Sequence, residues 1–97
     1  MEHGLSFVYI MTNRRNETLY IGVTSNIQKR IWEHKNHMVE GFTEKYDLTW
    51  LVYYEIYPEM TLAIQREKQL KSWNRSWKTQ LIEKINPEWN DLYKSLN

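Results

Sequence analysis

Two polar side chains lie four residues apart in a segment with the apolar spacing of a helix. Arg30 and His34 accompany Ile27 and Ile31 in this segment. Residues four apart share one face of an α-helix, so the guanidinium and the imidazole lie side by side. Arginine can bind two phosphate oxygens, and histidine exchanges a proton near neutral pH. The pair is suited to phosphate chemistry, although a boundary arginine and a surface histidine would give the same pattern.

A carboxylate interrupts the apolar stripe of a second predicted helix. Glu67 lies on the same face as Ala63 and Leu70, and Asn74 continues that line. Because a buried carboxylate without a partner is strongly unfavourable, Glu67 requires a cation. A core-facing arginine in a structural ion pair would supply one, and a divalent metal at the edge of a cleft would supply another. The pattern leaves both open.

Two tyrosines occupy the centres of two short apolar segments. Tyr9 lies within residues 7–11 and Tyr20 within residues 19–23. Aromatic residues in strands are commonly packing residues. Gly22 lies in the second segment, where a glycine weakens a strand and marks either a close approach or a bulge. We expect Gly22 to leave space beside the tyrosines.

The first half of the chain predicts two strands, a helix and a third strand. The polar residues 12–17 join strands 7–11 and 19–23, which favours an antiparallel pair. Ser25 and Gln28 have the capping-box spacing and predict a helix that runs to about residue 37, with Ile27, Ile31 and Met38 as its apolar stripe. Residues 38–47, which include Gly41, are expected to form a loop before a strand at 48–55.

The second half predicts two further helices. Pro58 and Thr61 introduce a helix at about 61–73. Ser76 is expected to cap a helix at about 77–86 whose buried stripe is Trp77, Leu81 and Ile85, and Pro87 ends it. A last turn is expected around Trp89, Leu92 and Tyr93. The order β-β-α-β-α-α predicts an α+β domain with a small three-stranded antiparallel sheet flanked by helices.

Length and composition bound the class of protein. Ninety-seven residues form one domain, with a core expected at about 6–86 and a tail at 87–97. The chain has no cysteine, which excludes a disulfide framework, a thiolate zinc site and a cysteine nucleophile. No apolar run approaches the roughly 20 residues of a membrane span, and the N-terminus lacks a signal-peptide pattern. A cytoplasmic protein is expected.

The charges are unevenly distributed although their formal sum is only +1. Residues 14–35 and 62–84 are rich in lysine and arginine, whereas residues 36–61 are mainly acidic. If the two basic segments share a face, that face would attract a phosphate backbone. Ordinary solvated helix surfaces would account for the same distribution.

The order of these residues resembles that of the GIY-YIG nuclease superfamily. Phe7-Val8-Tyr9 and Tyr20-Ile21-Gly22 are similar to its paired motif, which is complete in the second element and reduced to the tyrosine in the first. Arg30, His34 and Glu67 match the arginine, histidine and metal-binding glutamate of its helices. The segments 67–82 and 86–93 are similar to small stand-alone bacterial members, so the resemblance covers about residues 6–93.

The resemblance implies an endonuclease that hydrolyses DNA phosphodiesters with one divalent metal, Mg²⁺ or Mn²⁺. It assigns the metal to Glu67, bound weakly without substrate, and the phosphate to Arg30. Tyr9 would be the general base, supported by Tyr20 and His34. A relay in which His34 takes the proton from Tyr9 stays open as well. Residues expected to contact substrate are Gly22, Lys45 and Asn74.

The resemblance also implies DNA as the partner, in a structured or branched form or delivered by another protein, and no membrane. A homodimer that shares one substrate is the other explanation for a catalytic module with so little net charge. The alternative function is a nucleic-acid-binding or adaptor module on the same fold that is inactive or nearly so. An intact Tyr9, Tyr20, Arg30, His34 and Glu67 set favours the nuclease.

Overall fold

Three antiparallel strands form the centre of the protein. The computed structural model describes residues 4–13, 18–39 and 41–96, so residues 14–17 of the expected connection lie outside the described residues. The strands are β1 (Ser6–Thr12), β2 (Leu19–Thr24) and β3 (Trp50–Tyr57), in the order β2-β1-β3. The predicted pairing of the first two strands is confirmed, and the middle strand β1 places Tyr9 opposite Gly22 on one side and Tyr54 on the other.

Alternation along the central strand divides the core into two clusters. Val8 and Ile10 belong to the cluster that also contains Ala63, Leu70 and Ile82. Tyr9 and Met11 point the other way, into the cluster that contains Ile27 and Ile31. The pairing of β1 with β3 shifts between Ile10 and Met11, so β3 has one extra residue there. The sheet is therefore covered on both faces, which is the predicted α+β arrangement.

The first helix, α1 (Ile27–Lys35), begins one residue away from the expected cap. Asn26 is the N-cap, because its side-chain oxygen accepts a hydrogen bond from Lys29 N at 3.1 Å, and the predicted Ser25–Gln28 capping box is wrong. The helix ends at Lys35 rather than near residue 37. Met38 is 62% exposed and is no part of the buried stripe. His34 completes that stripe instead.

The segment expected to be a loop contains the short helix α2 (Phe42–Lys45). It follows Gly41, whose φ of 97° lies in the left-handed region that favours glycine. Leu48 N donates to Thr43 O at 2.9 Å, and this bond ends the helix just before β3. Periodicity could not reveal a helix of four residues, because it spans barely one turn.

The last two helices are α3 (Met60–Ser72) and α4 (Arg75–Ile85). α4 begins two residues before its expected start, because Asn74 rather than Ser76 is its N-cap and accepts from Trp77 N at 2.9 Å. Its predicted buried stripe is wrong: Trp77 is 54% and Ile85 68% exposed, while Ile82 is fully buried. A 3₁₀ helix, Tyr93–Ser95, follows near the expected last turn. Within the described ranges, no helix has the length and apolar character that crossing a membrane requires.

Replacing the true cap of α4 should weaken the protein more than replacing the residue that its sequence pattern favours. We expect Asn74→Ala to lower the free energy of unfolding by about 1 kcal/mol, because Trp77 N loses its acceptor. The control Ser76→Ala should stay within about 0.5 kcal/mol of the parent protein. Urea unfolding followed by circular dichroism measures both, and equal losses would contradict the cap assignment.

Candidate active site

A buried hydrogen bond joins the middle strand to the first helix. Tyr9 Oη lies 3.0 Å from His34 Nε2, across 25 positions of the chain. Tyr9 is fully buried and His34 is 3% exposed. β1 holds Tyr9 at the centre of the sheet, and α1 carries His34 on its buried face. The two polar groups thus satisfy each other inside the cluster that contains Ile31.

The second ring nitrogen of His34 faces a threonine that the sequence did not single out. Nδ1 lies 3.2 Å from Thr43 Oγ1, and Thr43 is buried in α2. With a proton on Nδ1 directed at this hydroxyl, Nε2 is free to accept the proton of Tyr9 Oη. Thr43 therefore orients the imidazole. No motif marks Thr43, and its segment was expected to be a loop, so the sequence carried no signal for this role.

Tyr20 and Gly22 complete the surroundings of Tyr9. The Tyr20 ring centre lies 6.2 Å from that of Tyr9 and 5.7 Å from that of His34. A Cβ atom on Gly22 would lie only 2.5 Å from Tyr9 Oη and 3.0 Å from the Tyr20 ring. The expectation that Gly22 leaves space beside the tyrosines is therefore confirmed, and the space is occupied by the Tyr9 hydroxyl.

Burial determines the protonation states of Tyr9 and His34 at neutral pH. Desolvation, followed by the positive charge of Arg30, lowers the pKa of His34 to about 4, and Glu33 opposes this only in part. Desolvation and the neighbouring Tyr20 hold the pKa of Tyr9 well above its ordinary value, although the charge and hydrogen bond of Arg30 act in the opposite direction. At neutral pH the pair is a protonated tyrosine beside a neutral histidine.

Arg30 lies where the buried cluster meets solvent. Its side chain is 40% exposed, and its Nε lies 3.3 Å from Glu33 Oε1. Its positive charge favours the ionised form of Tyr9, against the effect of burial. Arg30 also lines a polar cavity of about 160 Å³. The other residues of this lining are Thr24, Ser25, Asn26, Lys29 and Glu33. The guanidinium can therefore meet a ligand from solvent while its charge acts on Tyr9.

Glu67 is carried by the helix on the other face of the sheet. Its side chain is 17% exposed, beside the buried Ala63 and Leu70. Its cation is Lys71, 3.1 Å away and one turn along α3, rather than the core-facing arginine of the structural alternative. The inward-facing arginine of α3 is Arg66, which binds Glu55 of β3 through two nitrogens at 2.9 and 3.0 Å. Sequence spacing could not show this pair, because it joins separate elements.

The two other predicted substrate contacts have different settings. Lys45 is exposed at the end of α2, and its Nζ lies 5.5 Å from the centre of the Tyr46 ring. Asn74 caps α4 and lies outside α3, which ends at Ser72, so its helical alignment with Glu67 does not hold. Among the residues described, no three or more histidine, aspartate or glutamate side chains group together as a metal site.

The structure thus assembles Tyr9, Tyr20, Gly22, Arg30 and His34 around one buried hydrogen bond, with Glu67 across the sheet on α3. The GIY-YIG catalytic domain model matches residues 5–80. The chain belongs to the GIY-YIG family.

Similar proteins are small and have approximately the same length. A UPF0213 protein of Clostridium perfringens is 32% identical over 93 residues, which cover 96% of this chain and 99% of that protein. A UPF0213 protein of Syntrophus aciditrophicus is 37% identical over 84 residues, or 86% and 94% of the two chains. The solution structure of a UPF0213 protein from Bacillus halodurans matches with a TM-score of 0.57 at 22% identity, over 96% and 98% of the chains, and shows the same fold.

A methyl group added at position 22 should disturb the site more than a methyl group added at a glycine without close neighbours. Gly22→Ala places its Cβ against Tyr9 Oη and Cζ, and Tyr9 is fully buried and hydrogen bonded, so the ring must shift. We expect a loss of about 1–3 kcal/mol in the free energy of unfolding. Gly4→Ala, where nothing lies within 4 Å, is the matched control. Similar stabilities of the two variants in urea unfolding would contradict the close packing.

The depressed pKa of His34 makes stability depend on pH. The unfolded chain binds a proton at His34 below about pH 6.5, whereas the folded protein binds it only below about pH 4. Stability is therefore complete above about pH 6.5 and falls as the pH decreases through this window. Between about pH 7.5 and 5 we expect the parent protein to lose about 2 kcal/mol more than His34→Gln. Parallel curves for the parent protein and His34→Gln would contradict a buried neutral His34.

Proposed function

We propose that this protein is a metal-dependent endonuclease that hydrolyses phosphodiester bonds of DNA. Membership of the GIY-YIG family supports the nuclease class. The observation that carries the proposal is the buried hydrogen bond between the Tyr9 hydroxyl and a neutral His34. A protonated donor and an unprotonated acceptor are the two ends of a proton relay.

The pKa directions favour the relay over direct deprotonation of tyrosine. Burial makes a free Tyr9 phenolate unfavourable, so Tyr9 is a poor base by itself. When water attacks the phosphorus atom, its proton passes to Tyr9 Oη while the original Tyr9 proton passes to His34 Nε2. Thr43 Oγ1, at 3.2 Å from Nδ1, keeps the ring in the tautomer that can accept. Tyr20 packs against both rings.

Arg30 is proposed to bind the phosphate that is cleaved. Its guanidinium lines the polar cavity and its charge acts on Tyr9, so we expect a phosphate bound to Arg30 to lie near the relay. Glu33 Oε1 lies 3.3 Å from Nε of Arg30 in the free protein, and a guanidinium has further donors that suit a pair of phosphate oxygens. Charge that develops on the phosphate in the transition state would be stabilised by these donors.

Glu67 is proposed as the one protein carboxylate that binds a divalent metal. A hard oxygen ligand of this kind suits Mg²⁺ or Mn²⁺, which are commonly held by one or two carboxylates with water and substrate phosphate. Lys71, its present partner, is 54% exposed and can leave the carboxylate at small cost. When bound at Glu67, the metal would supply Lewis-acid stabilisation to a substrate phosphate and its leaving oxygen at α3.

The substrate is proposed to be DNA, held mainly by phosphate contacts. Exposed cations beside the site are available for this, including Lys29 at the cavity and Lys45 on α2. Because the net charge is only +1, we expect weak binding that depends strongly on salt. A structured or branched DNA, which presents several phosphates at once, is the form that such a small positive surface would hold best.

Loss of the Glu67 carboxylate should remove cleavage without unfolding the protein. Labelled single-stranded, duplex, flapped and branched DNAs are incubated at low salt with Mg²⁺ or Mn²⁺. We expect products with the parent protein and at least a 100-fold lower rate with Glu67→Gln. The free energy of unfolding should change by less than about 1 kcal/mol, because glutamine keeps the size of the side chain and the partner Lys71 is 54% exposed. Glu88→Gln, at an exposed position, is the control and should cleave normally.

Three outcomes separate this proposal from the alternatives. Metal-dependent products that disappear with Glu67→Gln support the nuclease and show which DNA shape it prefers. Equal products from both proteins would contradict the role of Glu67. Binding of one DNA without cleavage by the parent protein would contradict the nuclease and favour a nucleic-acid-binding module.

A further inference from the structure

The last part of the chain contacts the first helix across the edge of the sheet. We call residues 86–96 the C-terminal segment; it lies beyond residues 5–80, which the family model matches. It begins on β3, where Asn86 Nδ2 donates to Val52 O at 3.0 Å. It ends beside α1, where Gln28 Nε2 donates to Leu96 O at 2.5 Å. The segment therefore links the helix that carries Arg30 and His34 to the sheet that carries Tyr9.

Asp91 is the centre of this link. Its Oδ1 accepts from the backbone nitrogens of Leu51 and Tyr93, each at 3.1 Å, and its Oδ2 is bound by Lys35 Nζ at the end of α1. Leu92 N donates to Leu51 O at 2.7 Å, so the segment continues the hydrogen bonding of the β3 edge. One carboxylate thus joins β3, α1 and the C-terminal segment.

The C-terminal segment contacts both ends of α1. Gln28 lies in the first turn and Lys35 in the last. Lys35 Nζ also donates to Thr49 O at 2.8 Å and lies 5.2 Å from the centre of the Tyr93 ring. Arg30 and His34 fall between these two fixed points, so the contacts of the segment bracket the residues proposed to act on the phosphate and the proton.

The helix has few other means of holding its position. α1 has nine residues, of which Ile27, Ile31 and His34 are buried. A helix this short is not stable alone, so its orientation depends on tertiary contacts. Leu92, Tyr93 and Leu96 are among the residues that pack against the cluster of Tyr9, Ile27 and Ile31, so the C-terminal segment supplies part of its apolar cover.

We infer that the C-terminal segment is a positioning element of the site, with Asp91 and Lys35 as its positioning residues. It sets the distance between α1 and β1 and thereby the contact of His34 with Tyr9. Its effect on turnover rests on the proposed nuclease function, whereas its effect on the Tyr9–His34 contact does not. Since a displacement of about 1 Å in a reacting group can lower the rate on the order of 100-fold, a small movement of α1 is sufficient to lower the cleavage rate.

Asp91→Asn separates this role from simple anchoring of the segment. The amide oxygen can still accept from Leu51 N and Tyr93 N, while the charge that holds Lys35 is lost. Lys35→Met removes the same pair from the side of α1, and Lys35→Arg retains a cation there. Lys68→Met, at an exposed position on α3, is the control for loss of one positive charge.

The decisive measurement is the titration of His34 by NMR in the parent protein and these variants. In Asp91→Asn and Lys35→Met we expect the pKa of His34 to rise from about 4 toward 6.5, by about one unit or more, as the ring gains water. Lys35→Arg and Lys68→Met should titrate like the parent protein. Circular dichroism should show a folded protein in each case, and Lys35→Met serves if Asp91→Asn does not fold.

The cleavage assay gives the second readout. If the proposed function holds, kcat should fall about 10- to 100-fold in Asp91→Asn and Lys35→Met with little change in KM, and Lys35→Arg should retain most of it. Unchanged His34 titration in folded Asp91→Asn and Lys35→Met would overturn the positioning role. Because this titration does not require cleavage, a parent protein that cuts no DNA would contradict the proposed function alone.

Discussion

The hydrogen bond between Tyr9 and His34 is the contact on which the site depends, because it joins two buried polar groups from separate elements. A phenol and an imidazole inside an apolar cluster each lose hydration, and each recovers one bond from its neighbour. The pair also excludes any side chain at position 22, which is why a glycine faces Tyr9 in the register. The hydrogen bond proposed to take part in the chemistry is thus also part of the packing of this sheet face.

The other elements keep this contact in place from three directions. α2 supplies Thr43 to the far nitrogen of His34, and the C-terminal segment fixes both ends of α1. On the opposite face, Glu55 accepts bonds from Tyr53, Tyr57 and Arg66 and so joins α3 to β3. Burial and Arg66 have opposing effects on the pKa of Glu55, and the hydrogen bonds prevail and lower it. The face of the sheet that α3 covers is therefore also held by polar contacts between elements.

Much of this was predictable from the sequence, and the failures have physical causes. Strand composition predicted the sheet, and motif order placed Tyr9, Tyr20, Arg30 and His34 in the elements where they lie. The cap residues were wrong because Asn26 and Ser25, like Asn74 and Ser76, are neighbouring residues of equal capping ability, and local backbone geometry decides between them. Thr43 and Asp91 were missed because their roles depend on partners from distant parts of the chain. The exposed Trp77 and Ile85 show that helical periodicity indicates a face without showing what covers it.

The extra residue in β3 places two consecutive side chains on one face of the sheet. On one side of the shift Leu51 faces the Tyr9 cluster, and on the other side Tyr54 packs on that same cluster, although three positions separate them. Val52 and Tyr53 both face the opposite cluster. Removing Val52 alone would restore strict alternation and leave Tyr53, Glu55 and Tyr57 on the face of Arg66. The bulge therefore adds one apolar side chain to the Ala63 and Leu70 cluster without turning the rest of β3, so a change in strand length at this point need not invert the faces of the sheet.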